Sequence, residues 1–492
     1  MSAPAPRIPE EHVAALVRVL RGAGLGPREE TAPLARAGGR RTSRRLTAPH
    51  PSPRFDNSQM DGYAVAARDL DLAPGPYRVG PTLPAGTPAA AVYPRGLDEP
   101  GVVAPVMTGA QLPDGAGAVV PVERAEPARF LDPGASVRLP RTEPGTFLRP
   151  AGSDLPRGAE LLPAGTVLGP VHLALAASQG LTELPVAARP RVLVVTGGEE
   201  VLAPGPREPG DRGAEEGGPG EAEPGDRDPE APEAPLVPDA NGPLLRALAA
   251  AHGIEVAGQV HTGDDPATLA RALRAGIARH APDLVITSGG ISHGRYEVVR
   301  QVLAPTPESW FGHVSQQPGG PQGHAVFDGV PVLCLPGNPV STLVSFRVLV
   351  LPALAAVCVA IPEPRALTAV LTEEVEGIPG RTRWLRARLR HGLPPAAPSP
   401  HAGRPDVAPA PRADAAWREA VLAVTPTGGP GSHLLGQAAS ADALLEVPPR
   451  ARLRAGQPVR VLPLEPVRWE PPAIREDSAP HPTPPIETEE RR

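Results

Sequence analysis

The chain of 492 residues contains no lysine, and all 48 of its basic side chains are arginines. A phosphate-binding loop of the Walker A type, which needs a lysine, is therefore excluded. Cysteine is almost as scarce: Cys334 and Cys358 cannot build a disulfide framework or a Cys-rich zinc module. Aromatic residues make up 3% of the chain, so its cores must be assembled from Val, Leu and Ala. No apolar run reaches the roughly 18–20 residues that span a bilayer. The start, MSAPAPRIPEEHV, has no basic region followed by an apolar one. A cytoplasmic protein without a membrane partner is expected. Asparagine occurs only at positions 57, 241 and 338.

What is abundant is glycine and proline, 53 and 71 residues, about a quarter of the chain. Without a Gly-X-Y period this points to low-complexity segments rather than collagen. A 41% hydrophobic content still supports globular domains, and the length predicts two to four of them. The net charge of −6 is local. Ala203–Pro235 holds ten acids and three arginines, which leaves the rest close to neutral and gives no case for nucleic-acid binding.

Periodicity predicts a helix from Pro9 to Leu25, then Val-rich strands and turns from about Pro51 to Pro150, and a short helix at Val171–Ser178 closed by Gly180. From Pro190 to about Val359, strands and helices alternate. RVLVVTGG, IEVAGQV, DLVITSGG and VPVLCLPGN read as strands; Gly242–His252, a segment capped by Asp265, Glu297–Leu303 and Pro339–Val350 read as helices. This alternation predicts a multidomain α/β plus β protein whose α/β domain has a mostly parallel sheet. After Pro364, β-like runs suggest a small C-terminal β domain. Ala203–Pro235, Gly392–Arg412 and Glu465–Arg492 have compositions expected of disorder.

Open α/β sheets bind ligands outside the carboxyl ends of their strands. Those ends carry TGGEE (Thr196–Glu200), HTGDD (His261–Asp265), TSGGISHG (Thr287–Gly294) and LPGNPVS (Leu335–Ser341). Glycines there let backbone N–H groups approach an anion, and the following helix N-termini favour negative charge. Candidate binding residues are Thr196, Gly197, Asn241, Ser288, Gly289, Gly290, Ser292, Gly294, Pro336, Gly337, Asn338 and Ser341. The carboxylates Glu199, Asp264 and Glu297 would repel a phosphate unless a hard cation bridged them, and Mg²⁺ fits that need. Asp265 reads instead as a helix cap. GISHG matches a nucleophile elbow around Ser292, yet no later histidine is marked by a motif, and an esterase would leave Asn57, Asp61 and Thr108 unexplained.

Three polar clusters mark the N-terminal β-like region. FDNSQMDGYAV contains Asp61, VMTGAQLPDGAGAVVPVE offers Thr108 and Glu123, and RPAGSDLPRGAELLPAGTVL offers Arg149 and Asp154. A hairpin-turn reading suits Asp114-Gly115 better than Asp61, which precedes an aromatic and further apolar residues.

These clusters, together with SGGISHG and LPGNPVSTLVSF, resemble the molybdopterin molybdenumtransferase family, which includes the C-terminal part of gephyrin; the likeness runs from about Pro9 to Leu464. The resemblance implies a helical central domain (1–50 and 149–187), a β-rich inserted domain (51–148), an α/β molybdopterin-binding domain (188–362) and a C-terminal β domain (363–464), followed by a tail. It also implies a homodimer whose active site combines parts of both subunits. Its reaction inserts molybdate into adenylylated molybdopterin with release of AMP, assisted by Mg²⁺. Active-site positions carried over are Asp61, Thr108, Arg149, Asp154, Asp264 and Ser432, with Glu199, Asp264 and Glu297 toward the metal. The sequence departs from the family at Gly198, where an acid is usual, and at Glu297, where Asp is usual. In the loop ahead of LPGNP, His313, Gln317 and Gly320 stand where lysines are common, which is expected to weaken binding of molybdate or phosphates unless arginines such as Arg295 or Arg300 compensate. A molybdopterin-binding scaffold without turnover is the second reading. An adenylyltransferase or pyrophosphatase, which would leave the N-terminal clusters idle, is the third. A molybdopterin adenylyltransferase is an expected partner.

Overall fold

The computed structural model describes residues 5–198, 201–202, 237–291, 297–391, 422–429, 431 and 434–464. The three segments expected to be disordered lie outside the described residues. The chain forms two compact units, one of residues 28–188 and one of residues 1–27 with 189–492.

In the first unit the run GYAVA (Gly62–Ala66) forms a central strand, flanked by Ala116–Pro121 and Val102–Val106, with Tyr77–Val79 and Ser136–Val137 beyond. A strand alternates its side chains between faces, so a continuous apolar run must be covered on both. Tyr63 and Val65 pack with Tyr77, Val103 and Val120 on one side, while Ala64 and Ala66 pack with Leu83, Ala104 and Val119 on the other. Gly62 is required at the strand's start, because a Cβ there would sit 2.1 Å from the Val120 carbonyl oxygen. Around this sheet, Glu29–Pro33 pairs with Glu183–Ala187, Leu46–Thr47 with Glu160–Leu162, and Asn57–Ser58 with Leu148–Arg149. The helix Pro170–Ser178 packs near these pairs, one residue earlier at its start than the periodicity suggests.

The second unit contains a six-stranded sheet in the order Glu255–Thr262, Arg191–Gly197, Leu284–Ser288, Val330–Leu335, Pro321–Phe327, Trp310–His313. The first four strands are parallel, as expected; the last two are antiparallel and form an edge hairpin in a stretch where the sequence predicts no strand. Val192 and Val194 face one hydrophobic cluster and Leu193 and Val195 the other, so helices cover both faces. Arg191–Gly197 has its next two strands in sequence on opposite sides, which makes its carboxyl end the crevice where open sheets bind ligands.

The expected helix Pro339–Val350 runs further. A π-helical turn, Phe346–Val350, leads into Leu351–Val357, and Pro352 sits within the helix. Proline removes one ladder hydrogen bond, and the adjoining wide turn already relaxes the ladder there. The whole helix, Pro339–Val357, is long and apolar enough to cross a membrane, contrary to the expectation that no such run exists. Ser341, Thr342, Ser345 and Arg347 interrupt the apolar run in the sequence. In the fold, 83% of the apolar window is buried inside the protein, where the helix serves as a core element.

The N-terminal helix, Pro9–Gly22, ends before Leu25 and lays Leu16 and Leu20 into the same core. Its leading residue Arg7 stacks over Trp310 at 3.9 Å. His324 stacks on Trp310, and His12 packs beside them both. The His324 Nδ1 donates to the Glu308 carbonyl (3.1 Å), leaving Nε2 to accept from Arg7 (3.3 Å).

The C-terminal β domain is a closed barrel. Thr382–His391, Leu422–Pro426, Leu367–Leu371, Pro458–Pro463 and Ala443–Val447 pair in that order, and the last strand pairs back to the first. Gln316–Gln317 adds to its rim beside Thr382 and Arg383.

Candidate active site

The three N-terminal motifs converge within the first unit. Asp61 stands exposed immediately before Gly62–Ala66, and Thr108 occupies the turn after the neighbouring strand Val102–Val106. One Asp61 carboxylate oxygen accepts from both the Thr108 hydroxyl and the Thr108 backbone N–H, each at 2.6 Å. These bonds, the hydroxyl's first, hold the Asp61 carboxyl below its ordinary pKa, so it remains an anion. Arg149 lies opposite Asn57 in the Asn57–Ser58 and Leu148–Arg149 pair, and its guanidinium donates to the Asn57 side-chain oxygen at 3.4 Å. Asp154 accepts from the Ser52 hydroxyl at 3.1 Å, and Asp56 accepts from the Ala151 N–H at 2.7 Å. Among the described residues, Asp61, Arg149 and Asp154 make no ion pair. Their charges face solvent, free to meet a charged ligand. Asp114-Gly115 is the plain turn expected of it, with Gly115 at φ +84°.

In the second unit the strand ends form a belt of buried polar groups. The Thr196 hydroxyl donates to Asp239 (2.8 Å), whose other oxygen accepts from the N–H groups of Asn241 and Gly242. Gln259 donates to the same carboxylate at 3.3 Å. The Asn241 amide donates to the Gly337 carbonyl (2.6 Å) and accepts from Thr342 (3.2 Å). Ser288 donates to the Pro336 carbonyl (3.1 Å) and lies 3.1 Å from the Thr342 hydroxyl. Gly289 has φ +103°, and a Cβ on Gly337 would sit 3.1 Å from its Cα, so the two loops touch through bare backbone. Asn338, at the start of the long helix, has a buried side-chain oxygen with no partner among the described residues. Ser341 is buried in the first turn of that helix.

Asp239, Gln259 and Thr342 escaped the sequence reading. Asp-Ala-Asn-Gly ahead of a helix was a usable signal, since an Asp there can satisfy first-turn N–H groups. Asp265 caps Pro266–His280 as expected, accepting from the Thr268 N–H at 2.7 Å. Asp264 precedes it in the same loop, and Glu297 stands at the start of Val298–Leu303. Glu199, Ser292, Gly294 and Ser432 lie outside the described residues, as does Arg295. Among the described residues no three His, Cys, Asp or Glu side chains assemble into a metal site. Of the three carboxylates expected toward a metal, Asp264 and Glu297 are among the described residues and Glu199 is not.

A cleft of about 480 Å³ opens beside the start of the long helix, bounded by Gln317, Gly319, Gly320, Ser341, Arg381 and Gly431. Gln316 and Gln322 both donate to the Gly319 carbonyl, at 3.0 and 2.8 Å, and Gln322 donates to Ser345 at 2.6 Å. Arg381, just ahead of the barrel strand Thr382–His391, lines this cleft beside Gln317 and Gly320.

Comparison with known proteins agrees with this layout. Residues 9–180 match the "MoeA N-terminal region (domain I and II)", 191–356 a "Probable molybdopterin binding domain", and 400–464 the "MoeA C-terminal region (domain IV)". The chain is 34% identical over 462 residues to molybdopterin molybdenumtransferase 2 of Mycobacterium tuberculosis, covering 89% of this chain and 95% of that protein. The chain belongs to the molybdopterin molybdenumtransferase family. The family's Staphylococcus aureus enzyme is 28% identical over 345 residues, 70% of this chain and 75% of its own length. A solved molybdopterin biosynthesis MoeA protein from Pyrococcus horikoshii shares the fold, with a TM-score of 0.63 at 20% identity, over 93% of this chain and all of that one. The molybdenumtransferase motifs read from the sequence therefore sit on the multidomain architecture that the resemblance implied.

Proposed function

We propose that this molybdenumtransferase-family chain inserts molybdate into adenylylated molybdopterin, releasing AMP. The observation that carries the reading is that three separate motifs are joined within the first unit, Asp61 to Thr108 and Arg149 to Asn57, with Asp61, Thr108, Arg149 and Asp154 all exposed and the three charged residues without an ion pair among the described residues. Family membership and the relatives' names support it. Molybdate and the phosphates of the substrate are anions, and Arg149 offers directed, charge-assisted hydrogen bonds to an oxyanion. At the strand ends, Gly290 and Gly337 carry backbone N–H groups that suit phosphate, as does the first turn of Pro339–Val357, while the Gly289 N–H is taken by the Leu335 carbonyl (3.0 Å). The Asn338 side-chain oxygen is an acceptor left for a ligand donor. Held below its ordinary pKa, Asp61 orients donors or repels misplaced anions rather than acting as a proton donor near neutrality. Positioning and electrostatics would then supply most of the rate enhancement.

The same proposal includes a magnesium requirement through Glu199, Asp264 and Glu297, a homodimer, cytoplasmic operation, and supply of the substrate by a molybdopterin adenylyltransferase. The test is AMP release by the purified protein given adenylylated molybdopterin, Mg²⁺ and molybdate. Molybdate-dependent release that is lost in Asp61→Asn and on chelation of the metal supports the enzyme. Tight ligand binding without AMP release would instead favour the scaffold reading. Light scattering at twice the chain mass checks the dimer.

A further inference from the structure

In the first unit the short pair Asn57–Ser58 and Leu148–Arg149 sets Asn57 directly opposite Arg149. The 109–112 loop pins the same segment from its other side. There the Ser58 N–H donates to the Ala110 carbonyl at 3.1 Å, and the Leu112 N–H donates to the Asp56 carbonyl at 2.9 Å. Asn57 is thus held from two sides, and it is 5% exposed. Asparagine is a poor strand former, and a buried amide is costly unless its polar atoms are matched. Here the Asn57 amide nitrogen donates to the Phe55 carbonyl at 3.1 Å, which fixes the plane of the amide. Its oxygen then accepts from the exposed Arg149 guanidinium at 3.4 Å. A carboxylate at this place would hold the guanidinium roughly twice as strongly, but it would also cancel the charge. An amide sets the direction of the guanidinium and leaves its positive charge whole. Among the described residues Arg149 makes no ion pair, so nothing else in this list of partners cancels that charge.

We infer that Asn57 is a positioning residue, a neutral tether that aims Arg149 while leaving its full charge for an oxyanion of the substrates, in molybdate or in a phosphate group. The inference rests on the functional reading above in taking such substrates. Asn57 itself is buried and acts only through Arg149.

The experiment compares AMP release by full-length wild type, Asn57→Asp, Arg149→Ala and the double variant, with molybdate and the adenylylated substrate varied in turn. Asn57→Asp is expected to raise the KM of the anion that Arg149 meets about tenfold, with kcat within about threefold of wild type. The KM that rises tells molybdate from a phosphate of the adenylylated substrate. In the Arg149→Ala background the same substitution should change that KM by less than about twofold, because the charge it would cancel is gone. A substitution that merely loosened the loop would act in both backgrounds. Asn57→Ala, which drops the tether and keeps the charge, should raise the KM only about threefold, again with no effect once Arg149 is removed. It takes the place of Asn57→Asp if that variant does not fold. Unchanged KM values, a fall in kcat alone, or an equal rise in both backgrounds overturns the inference and leaves the functional reading intact. If wild type releases no AMP, that reading fails, and titration calorimetry with AMP and with sodium molybdate decides the inference. Weaker binding of either by Asn57→Asp, absent in the Arg149→Ala background, sustains it. Equal binding, or none by wild type, overturns it.

Discussion

Asp61, Thr108, Arg149 and Asp154 stand exposed with one or two partners each, whereas Thr196, Ser288 and Thr342 are buried and tied to Asp239, Asn241 and neighbouring carbonyls. Both groups are assembled from distant segments, yet they carry different loads. In the first, water can solvate any group that loses its partner, so the fold depends little on the side-chain chemistry and a ligand can supply the missing partners. In the second, each lost partner strands a buried group, so the polar chemistry is part of the fold. Substitutions should therefore separate activity from stability according to which group they touch.

The largest expected effect is on activity. Asp61→Asn should lower molybdate-dependent AMP release by more than about a thousandfold, roughly 4 kcal/mol, with an unchanged urea midpoint. A large drop in that midpoint would erase the distinction between the clusters. Asp239→Ala should do the reverse, costing about 3 kcal/mol in urea unfolding because Thr196 and two helix N–H groups lose their acceptor. The third prediction extends the comparison to the buried His12 and His324. Burial, then nearby charge, lowers their pKa values to about 3 and about 4. They are neutral in the folded protein and take up protons on unfolding below about pH 6.5, so stability is full above that pH and is lost as pH falls toward 4. Urea midpoints should fall steadily across that interval, and His324→Gln should flatten the slope. Thr108→Val removes one of two bonds to Asp61; about a tenfold loss of activity is expected, with the Asp61 pKa rising toward its ordinary value by NMR titration. The smallest effect belongs to deletion of 203–235 with a short Gly/Ser bridge, which should leave AMP release within about twofold.

Much of the exposed cluster is legible in the sequence because Asp61, Thr108 and Asp154 sit in turns or bends, where polar side chains between apolar runs have no packing role to explain them. Asp61 ahead of GYAVA stands out for that reason, whereas Arg149 is marked with Asp154 by the R-x-x-G-x-D spacing of the resemblance. The buried belt was only half legible. Glycines and asparagines at strand ends mark it, but Asp239, in the loop ahead of the helix at Asn241, meets Gln259 of the edge strand Glu255–Thr262, and Arg381 reaches the cleft from beside the barrel. Such pairings depend on strand order, which local pattern does not encode. The edge hairpin was missed because Gly312 and Gly323 break the alternation of Trp310–His313 and Pro321–Phe327. The long helix was cut short because the relaxed turn that accommodates Pro352 has no signature of its own.

Val201–Leu202 and Val237–Pro238 pair as short parallel strands on either side of the acidic segment. With entry and exit already held together, each doubling of the intervening length would cost only about 0.6 kcal/mol in closure entropy. That point of the chain is accordingly a socket. Natural variation can lengthen or recolour what lies between without retuning the enzyme, and a reporter domain with adjacent termini could be spliced in at the same place.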